Sequence, residues 1–415
     1  MSIIDPSEPR PNNANASFNN NADDQGSWLA LITISLTAFI LVCCEFLPIG
    51  VLNQIATELH ITTGQAGLAI TLPGIMGAIA APLLPIFIKK LDRRIFLMAL
   101  TGVMVFANII TVFSSSYEVF LLSRFILGIS IGGFWATAIA LSGRLAPANL
   151  DIAKATAVII AGVTFATVFG VPIGTWVGEL WGWRSGFTMS LIVAIPLLAL
   201  QYFSLPRLKP QSAIKLRDLP ELFKDAKARQ GLSIIFLIGL AHFSAFSYLG
   251  AFFKQVAGFN AATISSLFLS YGIASIFGNA FAGFSAAINV RYTFVILAVC
   301  FAIVFYSFPI YAIDQSNAYV LTALWGFAFG AFPTTANIWM FTHAAQAVEK
   351  GMPLYIGIFQ MMIASGSLLG GFIVDHFNIN ILLLSLLSLI VLALISIFTW
   401  SRGLNNPKTC CSIEK

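Results

Sequence analysis

The chain has 415 residues, of which 58% are hydrophobic and 9% charged, with 22 Lys and Arg against 17 Asp and Glu. An ordinary soluble domain carries about 25% charged residues, so this composition excludes one and describes a membrane protein. It leaves no soluble basic domain for nucleic acid, and the net charge of +5 is a matter of topology.

In chain order, the first 26 residues are polar, include "NNANASFNNNADD", and lack the basic start and apolar core of a cleaved signal; residues 1–27 read as a disordered tail. Twelve apolar stretches long enough for a ~30 Å hydrocarbon core follow. They lie near 28 to 52, 66 to 88, 95 to 115, 119 to 142, 153 to 178, 185 to 204, 231 to 253, 264 to 287, 291 to 313, 318 to 343, 352 to 374 and 379 to 401. An even number returns both termini to one side. Connectors after the odd helices hold only Arg184 and Lys254, whereas the other face holds nineteen of the 22 basic residues, including Lys89, Lys90, Arg93 and Arg94 and seven between Arg207 and Arg229. Basic segments stay in the cytoplasm, so both termini are expected there. Residues 205–230 begin with prolines and set Leu216, Leu219, Phe223 and Ala226 on one helical face. They predict a surface-lying linker helix between the halves 28–204 and 231–401, with a second tail at 402–415.

No catalytic pattern competes. Cys43, Cys44, Cys300, Cys410 and Cys411 show no metal spacing, and the sequence has neither a phosphate-binding Gly-x-x-x-x-Gly-Lys loop nor a domain for ATP. Neither enzyme activity nor a metal or cofactor is expected. Uphill movement would then draw on an ion gradient, where one charge crossing 100 mV is worth about 2.3 kcal/mol.

The two halves repeat. Gly74 falls on Gly272, Arg93 on Arg291, Gly128 on Gly326 and Gly132 on Gly330, all 198 apart, with "GISIGGF" over "GFAFGAF". At a shift of 196, Gly170, Gly174 and Glu179 fall on Gly366, Gly370 and Asp375. The unit is six helices, so the copies run parallel across the membrane. Transporters built from parallel repeats bind at the repeat interface near the midplane and rock one bundle on the other. Tight packing explains each glycine alone, since small residues let helices approach; it does not explain the register.

These motifs resemble the major facilitator superfamily, in its twelve-helix drug:proton antiporter branch, over nearly the whole chain outside the tails. "RFILGISIGG", with Arg124, Gly128 and Gly132, resembles that family's arginine-glycine motif. "GVTFATVFGVPIGTWVG", with Gly162, Gly170, Pro172 and Gly174, resembles its antiporter glycine-proline motif. "CEFLPIGVLNQIATEL" is similar to the first helix of bacterial sugar-efflux, arabinose-efflux and purine-ribonucleoside-efflux transporters. The resemblance implies an all-α fold of two six-helix bundles in a bacterial inner membrane. One loop departs: where the family reads Gly-x-x-x-Asp-Arg-x-Gly-Arg-Arg, this chain has "PIFIKKLDRR", so Lys89 replaces the acid and only Arg93 and Arg94 fit. Asp92 either stands in for that acid or is a solvated partner of its basic neighbours.

Glu45 is the single acid well inside a span, about 17 residues or roughly 25 Å from the cytoplasmic start of its helix. Arg124 sits a few residues from the opposite start of the fourth helix, at similar depth. In the resembled fold both helices line the central cavity, which implies a Glu45–Arg124 interaction whose pairing and desolvation change as the cavity opens, as a proton switch requires. The alternative is a permanent interhelix tie, or an arginine that snorkels to the interface. His242, mid-span in "GLAHFSAF" and about a turn deeper than the Glu45 equivalent, is a proton or substrate contact or a hydrogen-bonded core residue. Trp135, three turns beyond Arg124 on the same face, stacks on a solute ring or packs the core. Asn337 and Gln360 are interhelix hydrogen bonds or ligand contacts, and Tyr248 and Tyr271 complete the cavity candidates.

The sequence therefore predicts a monomeric, proton-coupled exporter of a small neutral or weakly polar solute, a sugar, nucleoside or drug-like molecule, whose partners are protons and the lipid bilayer. An importing symporter or facilitator, and a sensor without turnover, are the alternatives.

Overall fold

The computed structural model describes residues 26–88, 91–147, 150–208 and 221–404. Expectations for Lys89, Lys90, Leu216, Leu219, Cys410, Cys411 and nearly all of both tails lie outside them. A backbone in lipid has to satisfy its own polar groups, and among the described residues it does so as helix, with no strand.

The helices are α1 (Trp28–Glu58), α2 (Leu68–Phe87), α3 (Arg93–Phe113) and α4 (Tyr117–Ala138). Helix α5 runs from Ile152–Phe165 through a wide π turn, Ala166–Gly170, into Val171–Trp181, and α6 is Trp183–Ser204. In the second half α7 is Ala226–Phe246, extended by Leu249–Ala251 and Phe252–Val256. The 51-residue Ala261–Tyr311 is broken at Asn289 (φ −156°, ψ 97°) into α8 and α9. Then come α10 (Gln315–His343), α11 (Ala345–His376) and α12 (Ile379–Leu404). Ten described helices are long and apolar enough to cross a membrane; the break at Asn289 makes one of them two crossings, and α10, 29 residues long, completes twelve.

Polar residues at the span starts set the boundaries. Ser27 accepts from the Ala30 amide at 3.0 Å, Asp225 from Ala228 at 2.8 Å, Asn260 from Thr263 at 2.9 Å and Asp314 from Asn317 at 3.0 Å. Each satisfies an amide that the first helical turn leaves without a partner. Asn289 does the same for α9, accepting from the Arg291 and Tyr292 amides at 3.1 and 3.2 Å. The expected single face through Phe223 and Ala226 is not formed. Glu221–Lys224 is a separate turn, the Asp225 cap starts α7 afresh, and Leu222 is buried while Phe223 is exposed.

The repeated glycines make repeated contacts. A Cβ on Gly128 would meet the Pro73 carbonyl at 2.5 Å and one on Gly132 the Ala81 amide at 2.8 Å, which seats α4 on α2. In the second half, Gly326 stands against Tyr271 and Gly330 against Ser275, seating α10 on α8 in the same way. Gly74 and Gly272 serve the seams between the halves: a Cβ there would stand 2.8 Å from Ala364 Cβ on α11 and 3.2 Å from Val168 Cβ on α5. The halves therefore meet along two related seams, α2 with α11 and α8 with α5.

Candidate functional site

Helix α1 is interrupted where it crosses the interior. Pro48 has no N–H to give the Cys44 carbonyl, and Val51 leaves helical geometry at φ −118°, ψ 16°. Glu45, only 3% exposed, projects beside this break. Its Oε1 accepts a hydrogen bond from Gln360 Nε2 of α11 at 3.1 Å, so the acid of one half is held by an amide of the other. Glycines admit the amide: a Cβ on Gly77 would stand 3.0 Å from Gln360 Nε2, and one on Gly74 would stand 2.9 Å from the Gln360 carbonyl.

The Glu45–Arg124 pairing expected from their common depth is not made. Arg124 is fully buried inside the first half and donates through Nη1 to the Cys44 carbonyl at 3.3 Å, the oxygen that Pro48 leaves without its helical partner. Its other nitrogens reach the Thr111 hydroxyl and Ser123 Oγ, and its guanidinium lies 4.7 Å from the centre of the Phe187 ring. Glu45 and Cys44 are adjacent, yet one looks across to α11 and the other back to α4. Depth from hydropathy is common to the pair, whereas direction around the helix separates them.

His242 is also fully buried, but in an aromatic surround. Trp325 Nε1 donates to its Nδ1 at 3.0 Å, and Phe329 stacks on it with ring centres 4.0 Å apart. Matching α7 to α1 by their ends, 226–256 against 28–58, places His242 on Cys44 and Phe243 on Glu45. It lies one residue from the Glu45 counterpart, not the full turn that the sequence suggests. Tyr271 joins the same aromatic group, stacked 4.9 Å from Phe246.

Other candidates sit elsewhere. The Tyr248 hydroxyl donates to the Ser367 carbonyl at 2.9 Å beside Gly67 and Gly371, so it ties the end of α7 to α11 within the second half, next to the seam with α2. Asn337 Oδ1 accepts from the Tyr355 hydroxyl at 3.0 Å, joining α10 to α11. Trp135 is partly buried, edge-on to Phe134 at 5.3 Å, and packs with Phe39 and Val163 around Val42, Cys43 and Ala166. Gly162, Gly170 and Gly174 take the Ser35 carbonyl, Cys43 Sγ and Leu47 respectively, which seats α5 on α1. The Pro172 carbonyl accepts from Ser265 Oγ at 3.1 Å across the seam. Asp92 caps α3 through the Arg94 amide at 2.8 Å and holds the Leu208 amide at 3.2 Å. The Arg93 amide donates to the Leu208 carbonyl at 2.9 Å, so Asp92 and Arg93 fasten the start of the linker to the first half, while the Arg93 side chain binds the Ile88 carbonyl at 3.0 Å and Arg94 binds the Tyr202 carbonyl near the end of α6.

The seam is fastened toward the face opposite the termini. Asp375, at the end of α11, accepts from the Thr62 hydroxyl at 2.6 Å and the Gly64 amide at 2.8 Å. Gln255 binds Asn53 at 2.7 Å and Thr63 at 3.2 Å, and Ser367 binds the Gly67 carbonyl at 3.0 Å. Toward the termini, α5 separates from α8 and α10 along a crevice of about 110 Å³ lined by Thr164, Thr167, Ser275, Asn279 and Phe329, among others. Sequence reasoning marks Asp375 only as the repeat mate of Glu179 and misses Trp325; the Pro48–Cys44 spacing of four is the visible signal for the Arg124 contact.

The fastened face also holds a larger cavity of about 610 Å³, bordered by Asn53, Thr57, Gln255 and Asp375. Two parallel repeats with a buried acid at their seam define a membrane transporter of small solutes, not an enzyme. Residues 34–351 match the model of the Major Facilitator Superfamily, and the chain belongs to that family. It is 30% identical over 362 residues to the Transcription regulatory protein OpdE of Pseudomonas aeruginosa, covering 86% of this chain and 90% of that one. It is 27% identical over 354 residues to the Purine ribonucleoside efflux pump NepI of Salmonella paratyphi B, covering 85% and 89%. Among solved structures it is similar to the nucleoside transporter NupG (TM-score 0.71, 17% identity, 89% of this chain and 98% of that chain). It is also similar to a bacterial homologue of the human lysosomal transporter Spinster, inward-facing and unoccupied (TM-score 0.70, 13% identity, 90% and 96%).

Proposed function

We propose that this chain is a proton-coupled exporter of a small neutral organic solute, with Glu45 as the proton carrier. One observation carries the reading: a deeply buried carboxylate spans the seam to Gln360, with no basic partner of its own at that bond. An ionised acid in such a place is costly, and its hold on the facing amide changes when it takes a proton. Protonation then acts directly on a contact between the moving halves. Arg124 serves as a positioning residue, holding open the Cys44–Pro48 break from which Glu45 projects. The purine ribonucleoside efflux named for the Salmonella relative supports a nucleoside class of cargo. The basic residues on the terminal face support termini in the cytoplasm of a bacterial inner membrane, which puts the Phe329 crevice on the cytoplasmic side and the larger cavity beside Asp375 on the other.

The test is flux in reconstituted vesicles under an imposed pH gradient. Glu45→Gln should fold, bind solute and lose gradient-driven movement; full proton-driven transport by that variant rejects the assignment. The OpdE resemblance favours one other reading, a sensor without turnover, and ligand binding with no flux in the unaltered protein would select it.

A further inference from the structure

The second half contains four nearly parallel rings. His242 lies on Phe329 at 4.0 Å and 12°, and beside Phe246 at 5.1 Å and 21°. Tyr271 lies on Phe246 at 4.9 Å and 27° and beside Phe329 at 6.1 Å and 28°. They come from α7, α8 and α10, so the shared plane is set by three separate helices. Because an indole nitrogen only donates, Trp325 fixes the His242 tautomer: Nδ1 accepts and Nε2 carries the proton. That Nε2–H and the Tyr271 hydroxyl are both buried and find no protein partner. Buried donors are nearly always paired, so two orphans in one aromatic group are a feature to be explained.

Phe329 connects this group to the outside. One side of its ring stacks on His242 while the residue also lines the crevice between α5 and the second half. On the other flank Phe243, edge-on to His242 at 4.7 Å, stacks with Phe46 at 6.0 Å and 14°, and Phe46 is the residue after Glu45. The ring group therefore lies between the crevice and the acid.

We propose that these rings form the recognition site for a planar, uncharged heteroaromatic solute bearing hydrogen-bond acceptors, which displaces Phe329 from the crevice side and accepts from His242 Nε2–H and the Tyr271 hydroxyl. Parallel aromatic faces select a flat solute, because offset stacking rewards ring against ring. Two donors with no charged side chain among the rings select acceptors on a neutral one. A saturated sugar has no aromatic ring for that offset stacking. The inference names the cargo of the transporter proposed above, and solute binding is separable from coupling.

The experiment is equilibrium binding to the purified full chain without a gradient, read by thermal stabilisation and calorimetry, using inosine and caffeine as planar probes and sucrose as the non-planar control. At least one planar probe should bind and sucrose should not. Tyr271→Phe removes one oxygen and keeps the stack, and should weaken binding about tenfold; His242→Phe should weaken it similarly. Binding of sucrose alone, binding of no planar probe, or planar binding indifferent to both variants overturns the proposal. Glu45→Gln is measured alongside. Loss of coupling is read in the vesicle assay and loss of recognition here, so either reading can fail without the other.

Discussion

The two halves share a fold and divide their chemistry. At the 198-residue offset, Glu45 corresponds to Phe243, Cys44 to His242 and Arg124 to Thr322. The first half thus keeps a buried guanidinium at its α1–α4 contact and, one residue on, an acid that faces α11, and the second half has a hydroxyl and rings at the matching positions. The helix breaks agree in place but not in cause: Pro48 interrupts α1, whereas α7 stops at Phe246 and resumes at Leu249 without a proline. An arginine is needed only where a proline leaves a carbonyl without its partner. The comparison teaches that repeat symmetry fixes the packing, while each half is free to specialise at its centre.

The sharpest way to break this comparison is at the acid. Glu45→Gln should reduce gradient-driven flux at least tenfold with the thermal midpoint little changed, whereas Phe243→Leu at the matching site should leave coupling intact; vesicle flux under a pH gradient decides. With Glu45 present, transport should depend on the pH difference across the vesicle, and in the Glu45→Gln variant it should follow the solute gradient alone.

Next comes the Arg124 position. Arg124→Met strips the Cys44 carbonyl of its donor and should cost about 2 kcal/mol of stability, while Thr322→Val, whose hydroxyl has no protein partner, should cost less than about 1. Denaturation in detergent compares the two. Equal costs would remove the distinction between the halves.

The seams give a smaller effect. Gly74→Val and Gly272→Val press on α11 and α5 respectively and should both slow transport several-fold, because neither neighbour is a flexible side-chain end. Gly283→Ala meets nothing within 4 Å and should be silent. Smallest of all, Asp375→Asn weakens one fastening of the seam and should raise labelling of a cysteine placed at Ala66, buried in the turn that Asp375 holds, by a membrane-impermeant reagent, relative to the unaltered acid.

Much of the architecture is legible in the sequence because spans are long and glycine matches at a fixed shift are hard to produce by chance. Hydropathy locates Glu45 and Arg124 at a common depth closely enough to invite pairing. It carries no information on azimuth, and the Arg124 contact depends on a missing backbone hydrogen. Likewise His242 is visible as a polar residue mid-span, but its surround is assembled from Tyr271, Phe301, Trp325 and Phe329 on three other helices, in a chain with 37 phenylalanines. The acids at the 196 shift stand out as a pattern, yet only the structure shows Asp375 reaching Thr62. The short face through Phe223 and Ala226 misleads because Asp225 fits a helix interior as readily as a cap until its hydrogen bond to Ala228 is seen.

The break at Asn289 has a practical consequence for protein engineering. With a single residue turning α8 into α9, that hairpin offers no slack for an epitope, a fluorescent protein or a protease site, and any insertion there should unseat two crossings at once. The connector around Gly258, with φ of +70° and open space beside it, is the better place to cut, label or graft.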